Sequence, residues 1–186
     1  MDLPHNGSPL AEPTFDPDST DKQPESALRS LISSIERESA KLEFNSFSQS
    51  DAIRLGQVLM ELGTTRRLPI AIDIRKKKHI LFHVSLPGAT PDNEKWIKRK
   101  SRTAWRYSEP SLLVGLRGRL GGRRIEDNGW FDQARFASHG GAIPIVVTGT
   151  GCVAVATVSG LPQKSDHDLV LEALRTLQGH QSQPTD

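Results

Sequence analysis

Apolar residues recur along this chain with two different periods, and the order in which the periods change predicts its elements. Residues 25–42 place Leu28, Leu31, Ile32, Ile35 and Leu42 at mostly helical spacing. Residues 49–62 repeat the signal with Ile53, Leu55, Val58, Leu59 and Leu62, stopped by Gly63 as a C-terminal cap. Strand alternation follows. Ile70, Ile72 and Ile74 share one face of LPIAIDIRK, and Ile80, Phe82, Val84 and Leu86 one face of KHILFHVSL, with residues 76–78 as a solvated hairpin turn. Thr90, Pro91, Asp92 and Glu94 then open a helix through PDNEKWIKRKSRTAWRY. A further helix is expected over residues 110–120, ended by Gly121 and Gly122, and residues 121–141 read as irregular with one helical turn at 131–136. Residues 143–148 and 152–159 are near-continuous β-branched runs joined by GTG, as suits central strands covered on both faces. Ser165 and Asp168 form a capping-box-like start to a last helix carrying Leu169, Val170, Ala173, Leu174 and Leu177. The order ααββααββα gives an α+β fold, a mostly antiparallel central sheet sandwiched between helices.

Composition narrows this picture. At 186 residues the chain is most simply one domain. Its net charge of +2 is unevenly spread: residues 1–25 sum to −5, so the rest carries +7, a balance that favours anionic partners. Residues 1–24 are acidic and Pro-rich without periodicity and are expected to be a disordered tail, leaving a single domain over 25–178 and a second disordered tail at 179–186. Cys152 is the only cysteine, which excludes an intramolecular disulfide and a cysteine-based zinc site. No apolar run is long enough to cross a bilayer and the start is unlike a signal peptide, so no membrane partner and a cytoplasmic location are expected.

Several constellations invite chemistry. His79 and His83 share a strand face, but four strand residues span roughly 13 Å, too far for one metal; His83 alone can still reach a ligand. GTGCVA matches a dinucleotide fingerprint on paper, yet a strand follows it where a helix is required. Cys152 reads as a small buried hydrophobe rather than a nucleophile paired with His139. In SHGGAIPI, Gly140 and Gly141 beside His139 allow a close backbone approach, either a tight turn or a binding loop. VSGLPQKSDHDLV leads from a strand into a helix N-terminus, where Ser159, Gly160, Asp166 and His167 surround a natural place for a carboxylate or phosphate. In the helix over 91–107, Asn93 and Trp96 stand beside Arg99 and Lys100, which are expected to flank a pocket or a subunit boundary. The six basic residues of this helix raise nucleic-acid binding, which ranks as unlikely because no recognised binding module surrounds them.

PDNEKWIKRK, SHGGAIPI and VSGLPQKSDHDLVLEAL, in this order, closely resemble the uncharacterised branch of the HbpS-like, haem-degrading domain family, over about residues 26–177. The resemblance implies a profilin-like three-layer α/β/α domain and a homo-oligomer. It also implies a small anionic ligand, with haem or a related tetrapyrrole as a candidate and haem degradation as a candidate role. In that case His83 or His139 would serve as axial ligand and Arg99 and Lys100 as propionate partners. The alternative is a non-catalytic homo-oligomeric scaffold.

Overall fold

A computed structural model of the protein describes residues 14–181. Its elements are α1 (Glu25–Ala40), β1 (Glu43–Phe44), α2 (Gln49–Thr65), β2 (Ala71–Arg75), β3 (Ile80–Ser85), α3 (Pro91–Tyr107), α4 (Ser111–Leu120), β4 (Ala142–Val147), β5 (Gly151–Ser159) and α5 (Gln163–Gln181), with a short 3-10 turn at Ile125–Asp127. This is the expected α+β order with one added strand. The five strands line up as β1-β4-β5-β2-β3. β1 runs parallel to β4 and every other pair is antiparallel, so the sheet is mixed. β1 escaped the periodicity because two residues are too few to show alternation. It reaches only Val146 and Val147, leaving Pro144 free of a partner on that side.

The two faces of the sheet differ in chemistry. Ile72, Ile74, Ile143, Ile145, Ala156 and Val158 point to one side, where they pack with Leu55 and Leu59 of α2 and Val170, Leu174 and Leu177 of α5. Each fully buried Leu or Ile is worth about 1.5–3 kcal/mol, so this layer carries most of the core. The alternate positions mix buried polar side chains, Asp73, Thr157 and Ser159, with the small apolar Ala71, Ala142 and Val155, and α3 lies across them. α1 packs on α4 through Leu28, Ile32 and Ile35 against Leu112, Leu113 and Leu116.

The start of α2 is set by a capping box in which Ser48 and Asp51 exchange hydrogen bonds. Gly63 does not cap it. The helix continues to Thr65, and Gly63 is buried where a Cβ would stand 2.4 Å from Leu86. A Cβ on Gly56 would likewise meet the Phe82 ring at 2.3 Å, so the two glycines let α2 lie close on β3. The single turn expected at 131–136 is present, with the Asp132 carbonyl accepting from the Arg135 and Phe136 N–H groups, and a further short helix stands at Ile125–Asp127. α5 begins at Gln163, before the expected Ser165 cap, because Pro162 favours a helix start and Asp166 reaches back to accept the Leu161 N–H at 3.0 Å.

The acidic tail expected over 1–24 lies outside the described residues up to 13, as does the end from 182 onwards. From Thr14 the segment lies against the domain. The buried Pro17 offers its carbonyl to Arg119 Nη1 and to Gln163 Nε2, both at 2.8 Å.

Candidate functional site

Three segments far apart in sequence converge over the polar end of the sheet. α3 is fixed at its start by Thr90, whose backbone N–H donates to Asn93 Oδ1 at 2.7 Å, while Thr90 and Asn93 together complete a capping box. From there Asn93, Trp96 and Lys100 fall at helical spacing on one stripe, facing the sheet end. The loop before β4 supplies His139 and Gly140. The turn from β5 into α5 supplies Ser159, Gly160, Leu161, Gln163 and Asp166. Together they enclose a cavity of about 250 Å³, closed on one side by Asp18.

Lys100 is 2 % exposed, and its ammonium donates to the Val158 carbonyl at 2.7 Å and to Asp166 Oδ2 at 2.9 Å. Burial pushes the lysine down from its usual range and the Asp166 carboxyl up, and their mutual attraction only partly offsets this. Gly141 lies directly below with φ 115°; a side chain there would meet the Val158 carbonyl at 2.5 Å and the ammonium at 2.6 Å. Gly140 passes Gln163 so closely that a Cβ would stand 2.0 Å from its carbonyl. The paired glycines are therefore required for the chain to run between α5 and the buried ion pair. Ser111 of α4 holds the same loop, donating to the His139 carbonyl at 2.6 Å and accepting from the Ala142 N–H at 3.2 Å.

Trp96 and His139 meet edge to face with ring centroids 4.9 Å apart. Arg99 stacks on the same indole from outside at 4.5 Å and donates to the Phe136 carbonyl at 3.4 Å. His139 Nδ1 is buried without a hydrogen-bond partner among the described residues, and burial pushes the imidazole down towards its neutral form.

Eight of the twelve candidates read from the sequence line this cavity. Arg99 supports it through Trp96 and Gly141 from beneath. The other two lie elsewhere. His83 is held between Asp73 at 3.0 Å and Glu94 at 2.8 Å, and Arg75 grips the same buried Asp73 with a forked pair, so both imidazole nitrogens are engaged. His167 faces a cleft between α1 and α5, one helical step round from Asp166. Cys152 stays out of the cavity beside Trp105, and burial pushes its thiol up to about 11, which removes it as a nucleophile.

A family model described as "Haem degrading protein HbpS-like" matches residues 47–175. The chain belongs to the HbpS-like family. It is 45% identical over 148 residues to a UPF0303 protein of Streptomyces coelicolor, which covers 80% of this chain and 94% of the relative. Among solved structures it is similar to the Ybr137w protein, with a TM-score of 0.74 and 28% identity over 82% of this chain and 90% of that one. It shares its HbpS-like fold with a PduOC–haem complex, with a TM-score of 0.61 at 16% identity over 70% of this chain and 94% of that one. The three motifs read from the sequence lie within the matched residues, and they meet at one cavity.

Three lining residues, Asp18, Leu161 and Gln163, are not among the candidates read from the sequence. Asp18 sits in the segment assigned to the tail, and nothing local marks it. Gln163 was passed over for Ser165, although Pro162 just before it is a helix-start signal. Asp18 accepts the Gln163 backbone N–H at 3.0 Å, which places a carboxylate on the positive end of α5.

Proposed function

We propose that this protein binds a small carboxylate-bearing ligand in the cavity between α3, β5 and α5. The observation that carries the reading is the buried Lys100–Asp166 pair opening on that cavity. Exchanging such a pair for apolar side chains is often neutral or stabilising, so its presence at a cavity wall argues for a task other than stability. The Asp18 contact supports the ligand class: the chain's own carboxylate rests on the N–H groups of α5 and acts as a tethered competitor.

Haem is the group the family suggests, and the residues test it directly. His139 Nδ1 is the kind of nitrogen that iron takes, and Lys100 would suit a propionate. However, about 250 Å³ lies below the ~300–1,000 Å³ of pockets that bury drug-sized ligands. The macrocycle does not fit inside. A carboxylate arm of a tetrapyrrole fits where the ring does not, and HbpS-like membership together with the haem-bound neighbour supports a tetrapyrrole as one carrier of that arm.

Calorimetric titration with short mono- and dicarboxylates, alongside haemin, separates these ligands. Saturable carboxylate binding is expected, weakened by Trp96→Ala and strengthened several-fold by Asp18→Ala, which frees the α5 N–H. If carboxylates fail and haemin gives a saturable Soret shift that His139→Ala abolishes, the small-ligand reading is wrong. No helix among the described residues is long and apolar enough to cross a membrane; a cytoplasmic site of action is part of the proposal.

A second reading, homo-oligomeric assembly, is favoured by the outer edge of the sheet. β3 is an edge strand, Ile80 on it is 52% exposed, and Ile53 of α2 is 47% exposed. Ile80→Lys together with Ile53→Lys is expected to shift the mass measured by light scattering to that of a monomer. An unchanged mass would remove this edge from the interface.

A further inference from the structure

On the other side of α3 from the cavity, the structure builds a groove of about 470 Å³ that the ligand site does not use. α3 contributes Arg102, Trp105 and Arg106, the β2–β3 turn contributes residues 76–78, and the loop before β4 contributes Arg135 and Phe136. No carboxylate lines it. Arg75 at its base is neutralised by Asp73, but the three turn lysines, Arg102, Arg106 and Arg135 have no acidic partner within ion-pair distance among the described residues. Six cations held together without counter-charge repel one another, and a polyanion relieves that repulsion.

The cations are interleaved with rings. The Arg106 guanidinium lies 4.5 Å from the centre of Trp130 and 5.7 Å from that of Phe136, and Arg135 lies 5.9 Å from Phe136. Trp130 is 48% exposed, and Trp105 is half-buried in the groove wall. A phosphate chain alone has no use for exposed indoles, and a duplex hides the faces of its bases. A flexible strand with unpaired bases uses both features, phosphates on the cations and bases on the rings. We infer that this groove binds single-stranded nucleic acid without sequence preference. No known nucleic-acid-binding module surrounds the basic helix in the sequence. The groove instead draws its charge from three separate segments.

The test is fluorescence anisotropy of the full chain with labelled oligothymidine and oligouridine strands. Saturable binding is expected, with a log affinity that falls against log salt with a slope of about −0.7 per phosphate contact. The exposed reversals Lys77→Glu, Arg102→Glu and Arg135→Glu, combined, should weaken it at least tenfold with an unchanged circular dichroism spectrum. Trp130→Ala should weaken it about fivefold or more, the loss of one stacked base. The assignment is overturned if wild-type protein shows no saturable binding at low salt, or if a blunt duplex binds as tightly. It is equally overturned if the charge reversals abolish binding while Trp130→Ala leaves it intact, since the groove then reads phosphate alone.

Discussion

Lys100→Met is expected to lower the stability of the fold by about 3–5 kcal/mol, the range for removing one partner of a buried ion pair. The loss arises chiefly from what is left behind. Asp166 is buried, its carboxyl is already pushed up by burial, and without the ammonium it must either stay charged in a poor medium or take up a proton. The penalty should therefore shrink in mildly acid buffer, where protonation becomes easier. A second change, Asp166→Leu, removes the stranded charge and should restore most of the loss. It falls short by about 1 kcal/mol for the Leu161 N–H that loses its acceptor. Urea unfolding of the two single variants and the double variant at two pH values measures all of this. Additive losses in the double variant would show that the two groups do not act as a pair.

The second large effect is a loss of stability in acid that traces to His167. The imidazole is 2% exposed, neither ring nitrogen has a hydrogen-bond partner among the described residues, and burial pushes it down from 6.5 to about 4. The unfolded chain thus binds a proton below about pH 6.5 while the folded one resists until about pH 4. Stability from this residue is complete above the first value and falls by about 1.4 kcal/mol per pH unit towards the second, roughly 3 kcal/mol in all. His139, also pushed down by burial, adds to the same trend. Asp166 opposes it, since a carboxyl that takes up a proton more readily in the folded state gains stability as the pH falls. Comparing wild type with His167→Leu isolates the histidine: the variant should lose most of the slope between pH 6.5 and 4. An identical slope in both would assign the acid loss elsewhere.

Much of this architecture could be read from the chain because it rests on local signals. Ile70, Ile72 and Ile74 alternate because one face of β2 meets α2 and α5, and Thr90 with Pro91 marks the start of α3 by capping chemistry alone. The cavity was legible to the same extent: Gly140 and Gly141 announced a close approach, and what they approach is Gln163 and the ion pair. What stayed hidden depends on partners distant in sequence. β1 is defined only by its pairing with Val146 and Val147, and Gly63 looks like a cap until Leu86 is seen to press on it. His83 looks free until Asp73 and Glu94 claim both nitrogens. Lys100, expected to flank a pocket or a subunit boundary, lines the cavity, and what the sequence does not show is its burial against Asp166, sixty-six residues later.

The contrast between the two faces of the sheet has a consequence for motion. α2 and α5 are sealed to it by continuous hydrocarbon, which must be torn from contact all at once. α3 meets a smaller apolar patch, Ala104 on Ala142 and Val155, set among polar side chains whose hydrogen bonds water can replace. The helix that roofs the cavity is therefore the layer that parts from the sheet at least cost. Its partial detachment would open the cavity while the rest of the domain stays folded.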